Sequence, residues 1–341
     1  HPSNLNLSGL TNLKSFICSN GSLVSLNLSG LPNLETLICR NNDLTTLNLA
    51  GLTNLKTIDC SYNALTSLNL SDQTNLVNLK CGYNLFTSLN LSQNTNLENL
   101  ECYKFNGTSM NFPTLPHLKT IIFTGDSLLS IDVTQLNALE SLECPYSGNL
   151  NVLTLGNKPF LKTLYCSGGN IDLLDISNAN NLENIYCTDN NLTALNVANM
   201  PNLTTLSCEN NQITALNVAA DTNLTTLTCG NNLITNLDVS NLIQLTYLNC
   251  GYNQLSNLDV TNLINLKWLV CSNNMLSTLN TTNLVNLFQL TFSNNLISSI
   301  DLSNITQLSD LFCANNHLTA LSISHLHNLS DLNCSGNQLS T

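Results

Sequence analysis

The sequence predicts a repeat solenoid in which each turn adds one short strand to a parallel β-sheet on the concave face, with an extended or 3₁₀ back side. Three observations predict it: a cysteine every 21 residues, alternating apolar and polar residues around each cysteine, and an asparagine three residues after most of them. A fixed period of roughly 20–50 residues is typical of chains that stack similar units around one continuous core.

The cysteines define the repeat. The first five stand 21 residues apart, Phe123 takes the next position, and one extra residue precedes Cys166 before the step of 21 resumes. We therefore predict that residues 1–341 form a single solenoid of about sixteen turns, here called rungs. Because both ends lie inside a repeat, we expect it to be an uncapped part of a longer chain. The cysteines are Cys18, Cys39, Cys60, Cys81, Cys102, Cys144, Cys166, Cys187, Cys208, Cys229, Cys250, Cys271, Cys313 and Cys334.

The apolar pattern predicts where the strand of each rung lies. In residues 55–70, Ile58 and Cys60 are the apolar residues around the cysteine position, and Thr57 and Asp59 alternate with them. A period of two is typical of a short strand with one face in the core. The spacing follows the leucine-rich-repeat signature, with cysteine in its third apolar position. The predicted fold class is therefore a solenoid of 21-residue leucine-rich repeats.

An asparagine follows the strand in most rungs. Its amide can satisfy backbone groups that a buried turn would otherwise leave without partners. The remainder of the rung, for example residues 68–71, has no helical periodicity, so we expect an extended or 3₁₀ back side instead of helices. These turn asparagines are Asn42, Asn63, Asn84, Asn190, Asn211, Asn232, Asn253, Asn274, Asn295, Asn316 and Asn337.

The rung at residues 224–234, Leu-Thr-Thr-Leu-Thr-Cys-Gly-Asn-Asn-Leu-Ile, resembles the internalin-type repeats of bacterial surface proteins. With its 21-residue period, the chain is most similar to internalins that carry a cysteine ladder. Similar asparagine-rich repeats occur in secreted proteins of Bacteroidetes. The resemblance covers essentially the whole chain, and it implies an adhesin or recognition module displayed at the cell surface or secreted.

The fourteen cysteines could indicate core packing, disulfides or a metal site. Stacked strands lie about 4.8 Å apart, within the Cα range of a disulfide, but their side chains point in parallel. Because Phe123 and Phe292 occupy two of the cysteine positions, we favour reduced thiols packed in the core. We predict no metal site and no cofactor.

Charged residues alternate in sign four residues before the cysteine positions. Opposite charges on adjacent strands attract by a few tenths to about 1 kcal/mol, so the alternation predicts a self-neutralising ladder in place of a binding patch. Only Val77 interrupts it. The residues are Lys14, Glu35, Lys56, Val77, Glu98, Lys119, Glu140, Lys162 and Glu183.

A second polar column lies nine residues after the cysteine positions. It lacks the glycine-rich nonapeptide spacing of calcium-binding solenoids. We therefore expect an amide ladder in which neighbouring rungs hydrogen-bond to each other. The column comprises Asn27, Asn48, Asn69, Asn90, Asn111, Asp132, Asp175, Asn196, Asn217, Asp238 and Asp259.

Composition and charge narrow the function classes. A net charge of −12 with only nine Lys and Arg argues against nucleic acid and anionic membrane surfaces as partners, and no apolar run is long enough for membrane insertion. The five histidines form no nucleophilic, metal or acid–base arrangement. Glu101 and Glu143 fit a glycosidase pair only loosely, so we expect no enzymatic activity.

The aromatic residues mark the predicted binding surface. All eight tyrosines and the single tryptophan lie within about four residues of a cysteine position, where side chains of this fold class tile the concave face. Tyrosine suits strand surfaces generally, but that preference does not explain why none lies on the back side. Tyr and Trp are enriched at binding hot spots. The predicted ligand-binding residues are Tyr62, Tyr83, Tyr103, Tyr146, Tyr165, Tyr186, Tyr247, Tyr252 and Trp268.

These observations predict an extracellular binding or adhesion module that recognises a protein or glycan ligand through the concave face. The alternative is a structural spacer or a subunit of a cell-surface assembly, whose partners are flanking domains of the same chain or other subunits. A weaker alternative is ice binding through a patch of threonines. Two irregular stretches, 102–107 and 144–150, are either tolerated defects or shaped sites. The threonines of the ice-binding alternative are Thr204, Thr205, Thr225, Thr226 and Thr228.

Overall fold

The computed structural model describes residues 7–198 and 200–340. Within those ranges it contains short strands, turns and bends but no helix, and so none that could cross a membrane. The contacts divide the chain into two compact units, unit 1 (residues 1–171) and unit 2 (residues 172–341). Each unit is a stack of parallel rungs, which confirms the predicted solenoid of leucine-rich repeats.

Unit 1 contains eleven strands in two parallel sheets. In the main sheet each strand begins three residues before its cysteine position, and register partners such as Ile58 and Leu79 are one repeat apart. The strands are β1 (Ser15–Ile17), β2 (Thr36–Ile38), β3 (Thr57–Asp59), β4 (Asn78–Lys80), β5 (Asn99–Cys102), β6 (Ser109–Asn111), β7 (Thr120–Phe123), β8 (Ser130–Asp132), β9 (Ser141–Glu143), β10 (Val152–Thr154) and β11 (Thr163–Tyr165). The main sheet has the order β1-β2-β3-β4-β5-β7-β9-β11, and β10-β8-β6 form the second sheet.

Unit 2 is more regular. Its eight strands pair in parallel in chain order, again with register partners one repeat apart, such as Leu206 with Leu227. They are β12 (Asn184–Tyr186), β13 (Thr205–Ser207), β14 (Thr226–Thr228), β15 (Tyr247–Asn249), β16 (Trp268–Val270), β17 (Gln289–Thr291), β18 (Asp310–Phe312) and β19 (Asp331–Asn333).

The core of each rung consists of the middle strand residue, the cysteine and the leucines of the back side. The cysteines are reduced thiols, and all but Cys18 and Cys334 are buried, in agreement with the expected core thiols. Phe123 and Phe292 fill their cysteine positions without any exposure. Full burial of an apolar side chain contributes about 1.5–3 kcal/mol, and a rung achieves it only by stacking on its neighbours.

The turn asparagines satisfy the backbone as predicted. Asn63 Nδ2 donates to the carbonyls of Cys39 (3.1 Å) in the preceding rung and Cys60 (3.0 Å) in its own. Its Oδ1 accepts from the backbone N–H of Leu44, also in the preceding rung (3.0 Å). Asn232 makes the same set of bonds in unit 2. One side chain therefore links two rungs at three backbone groups.

The regular back side is extended and ends in successive turns. The N–H of Leu52 donates to the carbonyl of Leu49 (3.1 Å), and that of Leu55 donates to the carbonyl of Leu52 (3.3 Å). These bonds join residues three apart, the connectivity of a 3₁₀ turn. Without a helix, the back side fits within a repeat of 21 residues.

Three rungs of unit 1 differ on the back side, where β6, β8 and β10 pair in parallel and replace the extended segment. Phe105, Phe112 and Phe123 are buried together in this part of the core. The ring centroids of Phe105 and Phe112 lie 4.9 and 5.7 Å from that of Phe123. Phe105 belongs to the irregular stretch 102–107, whose departure from the repeat therefore has a packing role.

The prediction of an amide ladder nine residues after the cysteine is wrong. Asn69 Oδ1 accepts from the N–H of Ser71 (3.1 Å), and Asp259 accepts from the N–H of Thr261 (3.0 Å). This is an Asx turn. The chain bends directly after these residues, so the nearest backbone donor belongs to the same rung.

Asparagine side chains do connect successive rungs in two other columns. Two residues after the cysteine position, Asn231 Nδ2 donates to Asn210 Oδ1 (2.7 Å), and Asn41 bonds Asn20 in the same way (2.9 Å). Six residues before it, Asn54 Nδ2 donates to the backbone carbonyl of the preceding rung at 2.9 Å. Both columns lie on the surface, where the amides join rungs without adding charge.

Candidate ligand-binding face

Two surfaces of each unit carry the predicted ligand-binding residues. The strand face consists of the side chains three and one residues before the cysteine position and one residue after it, which alternate with buried residues. The turn ridge consists of the residues two after the cysteine position, where the chain leaves the strand. In unit 1 the turn ridge runs from Asn20 to Gly168, and in unit 2 from Asp189 to Gly336.

The structure divides the nine predicted aromatic residues between these surfaces. The aromatic side chains of the strand face are partly exposed, and those of the turn ridge are exposed. Tyr103, Tyr165, Tyr186, Tyr247 and Trp268 belong to the strand face, and Tyr62, Tyr83, Tyr146 and Tyr252 belong to the turn ridge. Ring contacts within the units join Tyr62, Tyr83 and Tyr103, then Tyr146 and Tyr165, and finally Tyr247 and Trp268.

The first group is a tyrosine stack on unit 1. The rings of Tyr62 and Tyr83 lie parallel at 4.2 Å between centroids, and Tyr103 lies 5.9 Å from Tyr83 at an angle of 35°. Gly82 makes room for Tyr103, because a Cβ there would lie only 2.5 Å from the backbone nitrogen of Tyr103. Offset aromatic pairs contribute about 0.5–1.5 kcal/mol beyond the burial of their surface.

The backbone of the turn ridge is left-handed. Thirteen non-glycine residues of the ridge have φ between 53° and 59°; seven are asparagine and four are tyrosine. This conformation costs most residues about 1–2 kcal/mol, whereas asparagine adopts it more readily through local hydrogen bonds. Tyr62, Tyr83, Tyr146 and Tyr252 therefore occupy positions where the fold itself favours asparagine.

The second group lies at the end of unit 1. The rings of Tyr146 and Tyr165 meet edge to face with centroids 6.4 Å apart, and the Tyr165 hydroxyl donates to that of Tyr146 at 3.3 Å. Gly168 takes the next position of the turn ridge, and a Cβ there would lie 2.9 Å from Cδ1 of Tyr146. Although Gly168 leaves room beside its ring, 70% of Tyr146 is exposed. The irregular stretch 144–150 therefore presents an aromatic ring.

The third group lies on unit 2. Tyr247 and Trp268 are register partners on β15 and β16, with ring centroids 6.2 Å apart at 40°. Tyr252, on the turn ridge of the same rung as Tyr247, is 63% exposed. Aromatic side chains therefore lie at both ends of β15.

Charges of the strand face surround the tyrosine stack of unit 1. Lys80 and Glu101 form an ion pair at 2.7 Å, and Asp59 accepts from the hydroxyl of Ser61 at 2.7 Å. Partial burial, and then the nearby carboxylates of Glu101 and Glu143, raise the pKa of the Tyr103 hydroxyl. The Tyr103 phenol therefore remains a protonated hydrogen-bond donor at neutral pH.

The predicted charge ladder forms ion pairs at Glu35 and Glu98, whereas Glu140, between Lys119 and Lys162, makes none within the described residues. Glu35 binds Lys14 at 3.1 Å and Lys56 at 2.8 Å, and Lys119 binds Glu98 at 3.0 Å. Hydrogen bonds from Lys56 and Lys14 lower the pKa of Glu35. These side chains neutralise one another, as expected of a structural ladder.

A cavity of about 250 Å³ lies beside this ladder. Lys14, Glu35 and Lys56 line it together with Asn33, Asn54 and Asn75. The ladder charges already pair with each other, and each of the three asparagines donates to a backbone carbonyl of the preceding rung. The cavity therefore offers few free groups to a ligand.

The cysteine side chains make structural contacts in the core. Burial raises the pKa of Cys166 to about 12, so its thiol is not ionised as a nucleophile or metal ligand would be. Within the described ranges, no three His, Cys, Asp or Glu side chains are grouped to hold a metal ion.

The threonines also make structural contacts. Thr225 and Thr246 donate to backbone carbonyls of the preceding rung, and Thr228 shares a hydrogen bond with Ser207 at 2.7 Å. Three of the predicted threonines, Thr204, Thr225 and Thr228, therefore have hydrogen-bond partners within the chain.

The structure also shows a group that the sequence analysis missed. Glu209 lies on the strand face of unit 2, and Asn249 Nδ2 donates to its Oε1 at 2.6 Å, although the residues are 40 positions apart. The signal in the sequence was the glycine pair at Gly230 and Gly251, which follow two successive cysteines directly. Removing two neighbouring side chains from a regular surface column leaves space for long-range contacts.

Parallel rungs, leucine-rich cores and an aromatic strand face define a leucine-rich-repeat protein. Among solved structures, the functional domain of InlJ from Listeria monocytogenes, which includes a cysteine ladder, is 30% identical with a TM-score of 0.76. The alignment covers 95% of this chain and 68% of that one. The chain therefore belongs to the internalin family of leucine-rich-repeat proteins.

More distant structures share the fold. The internalin InlF from Listeria monocytogenes is 24% identical with a TM-score of 0.57, over 97% of this chain and 88% of that one. The ectodomain of the receptor kinase GASSHO1/SCHENGEN3 from Arabidopsis thaliana, in complex with Casparian strip integrity factor 2, is 22% identical with a TM-score of 0.66, over 97% and 48% of the two chains. No protein-family model and no curated protein matches the chain.

Proposed function

We propose that the chain is an extracellular binding or adhesion module of a bacterial surface protein. It recognises a protein or glycan ligand through the concave face, formed by the strand face together with the adjoining turn ridge. The observation that carries the proposal is the presence of four exposed tyrosines at left-handed positions where asparagine is the common residue.

These four tyrosines carry a cost in folding free energy. At each of them the left-handed backbone is about 1–2 kcal/mol less favourable than an ordinary conformation, and the amide contact to the preceding rung is lost. Stacking offsets part of this cost for Tyr62 and Tyr83, but Tyr252 makes no ring contact within the described residues. Unfavourable backbone conformations of this kind cluster at functional sites, and tyrosine supplies a large contact area with few rotatable bonds.

The comparisons support a binding role at a coarser level. The likeness to the InlJ domain places the chain among internalins, and the plant receptor ectodomain of the same fold was solved with a bound partner. Extracellular display and the choice between protein and glycan are inferences from this family and from the aromatic surface.

A structural role in a cell-surface assembly is the second candidate, because unit 2 has an exposed apolar column on its back side. Ile243, Ile264 and Val285 lie seven residues before three successive cysteine positions, and each is about half exposed. Contiguous apolar patches of this kind mark contacts between proteins. In that case flanking domains or other subunits would cover the column, and the strand face would stay free.

The two candidates differ in which substitutions matter. We would measure binding of the purified chain to a panel of extracellular glycoproteins, each tested before and after enzymatic removal of its glycans. Tyr165→Ala or Trp268→Ala is expected to weaken binding about 30-fold or more in at least one case, as at hot spots elsewhere, while Asn69→Ala on the back side binds like wild type. Normal binding by both aromatic variants, with loss in Ile264→Ser, would establish the assembly role instead.

A further inference from the structure

Unit 2 contains a polar cluster with Glu209 at its centre. Glu209 lies one residue after Cys208, is partly exposed, and accepts from Asn249 Nδ2 at 2.6 Å. Burial raises the pKa of Glu209, and Thr228 and Asn249 oppose that rise. The Thr228 hydroxyl lies 2.7 Å from the hydroxyl of Ser207. Three rungs therefore contribute polar groups to one place on the strand face.

Two glycines form the floor beside this cluster. Gly230 and Gly251 follow Glu209 in the same column, one per rung, and both are buried. A Cβ at Gly230 would lie 3.2 Å from Asn249 Oδ1 and 3.1 Å from the carbonyl oxygen of Gly251. Any larger residue at position 230 would crowd the amide that reaches Glu209. The Gly251 N–H donates to Asn249 Oδ1 at 3.1 Å, which fixes the amide at both ends.

Aromatic rings border the cluster. Tyr247 precedes Asn249 by two residues on β15, so the two side chains point to the same side of the sheet about 6.6 Å apart along the strand. Trp268 lies beside Tyr247 on the next strand, with ring centroids 6.2 Å apart. Partial burial of Tyr247, and then the Glu209 carboxylate, raise the pKa of the Tyr247 hydroxyl, which indicates that the carboxylate and the ring are near each other.

We propose that Glu209, Thr228, Asn249, Tyr247 and Trp268 form a saccharide-binding subsite. The carboxylate, the amide and the hydroxyl would hydrogen-bond to adjacent hydroxyls of a sugar ring, and the aromatic pair would pack against its apolar face. This inference rests on the proposed function and deepens it by naming the ligand class of one site.

The arrangement favours a sugar hydroxyl over a cationic side chain of a protein ligand. Asn249 already donates to the Glu209 carboxylate at 2.6 Å, so part of its charge is compensated and its remaining lone pairs act as directional acceptors. The two buried glycines place no apolar side chain beside the Asn249 amide. Small-molecule sites typically combine aromatic walls with a few fixed polar groups.

Trp268 makes the subsite directly observable, because it is the only tryptophan of the chain. We would titrate the full chain with a panel of neutral trisaccharides of different sugar composition and record tryptophan fluorescence. At least one trisaccharide is expected to change the emission saturably, with a dissociation constant on the order of 1 mM for a single exposed subsite.

Matched variants test the assignment. Glu209→Gln preserves shape and should weaken binding of that trisaccharide at least about 5-fold, because it replaces a charged acceptor. Gly230→Val should abolish binding by displacing Asn249. Asn69→Ala, which breaks only an exposed Asx turn on the back side of unit 1, should bind like wild type. The melting temperature of each variant establishes that it is folded, so Glu209→Gln still decides the question if Gly230→Val is unstable.

Two results would overturn the subsite. One is the lack of a saturable change with any trisaccharide of the panel; the other is equal affinity in wild type and Glu209→Gln. If glycoproteins still bind after removal of their glycans, and Trp268→Ala weakens that binding, the cluster belongs to a protein interface. The proposed function then stands while the saccharide subsite is wrong.

Discussion

At the residue scale, the turn ridge contains tyrosines at positions where the fold favours asparagine. Asparagine fits the left-handed backbone and joins the amide ladder, as Asn231 does with Asn210 at 2.7 Å. Tyrosine at the same position does neither. Tyr252 is the clearest case because it is 63% exposed and makes no ring contact within the described ranges.

We therefore expect Tyr252→Asn to stabilise the chain by up to about 1 kcal/mol, through relief of the left-handed backbone. Its new amide is also in line with Asn231 and Asn273, its neighbours on the ridge. Thermal or urea unfolding measures the change. The reverse substitution Asn231→Tyr should destabilise by a similar amount. A loss of stability in Tyr252→Asn would show that this tyrosine serves the fold.

A second residue at odds with its surroundings is Asp221. It lies without exposure in a column that elsewhere holds leucine, such as Leu242 and Leu263. Its Oδ1 accepts from the N–H of Met200 at 3.0 Å, and its Oδ2 has no partner among the described residues. Burial raises the pKa of Asp221 to about 6, from an ordinary 3.8.

The raised pKa of Asp221 predicts how stability depends on pH. Below the unfolded pKa the residue is protonated in both states and costs nothing; above about 6 it must ionise inside the fold. Stability should therefore fall as pH rises from about 4 to above 6, by on the order of 3 kcal/mol. Asp221→Asn, which copies the amide of Asn94 in the same column, should remove this dependence and be more stable at pH 7.

Unfolding by urea at pH 4 and pH 7 checks this prediction. Asn94 donates to the carbonyls of Leu70 and Gln73, so an amide at position 221 has equivalent acceptors one rung away. Lys158, also buried in this column, stays unchanged in both proteins. Equal pH dependence of wild type and Asp221→Asn would mean that Asp221 does not ionise within this range.

Residue roles were predictable where one local pattern determines them. The cysteine period located the buried thiols, and the asparagine after the strand located the buried amides. The column at Asn69 was misjudged, because the choice between a neighbouring rung and its own Asx turn depends on the local bend. The left-handed ridge was missed, although asparagine recurs there at Asn210, Asn231 and Asn273.

At the element scale, the turn asparagine is the main polar link between rungs. Asn63→Ala would leave the Leu44 N–H without its acceptor, and it would remove one of the two amide donors from each of the carbonyls of Cys39 and Cys60. Because an unsatisfied buried group costs about 1–3 kcal/mol, we expect a loss of at least about 2 kcal/mol in urea unfolding. Asn69→Ala, which breaks only an exposed Asx turn, should cost clearly less. Similar losses in both would contradict this role.

The charge ladder should contribute through salt-sensitive attraction. Glu35→Lys would place three positive side chains on adjacent rungs, with Lys14 and Lys56 on either side. We expect Glu35→Lys to melt at a lower temperature than wild type at low salt. The difference should be smaller at 1 M salt, where charges more than about 3 Å apart are largely screened. Asp43→Lys changes the net charge equally outside the ladder. If both variants show the same shift, the ladder has no specific effect.

The second sheet shows where prediction of elements fails. Ser130-Ile131-Asp132 alternates polar and apolar residues, but so does the back side of every rung, for example Ser67-Leu68-Asn69. Only the first of these segments is a strand. Pairing depends on the neighbouring rungs and on the phenylalanine-filled core beneath them, which a local pattern does not encode. Strand positions on the main sheet were predictable because the cysteine marks each one.

At the scale of the whole molecule, apolar burial recurs from rung to rung, and this separates stability from recognition. Buried apolar side chains repeat throughout both units, and turn asparagines repeat in the regular rungs, so stability accumulates from nearest-neighbour contacts. The aromatic groups do not repeat regularly. They occur at a few rungs and are partly or fully exposed, so their loss should affect recognition more than folding.

The most direct test combines Tyr62→Asn, Tyr83→Asn, Tyr146→Asn and Tyr252→Asn in one variant. Each substitution installs the residue that the turn ridge uses most often. Binding to a glycoprotein that captures the wild-type chain would be measured beside the melting temperature. We predict binding weakened at least about 30-fold with a melting temperature equal to or above that of wild type. Wild-type affinity, or a fall in melting temperature that accounts for the lost binding, would contradict the claim that these tyrosines serve recognition.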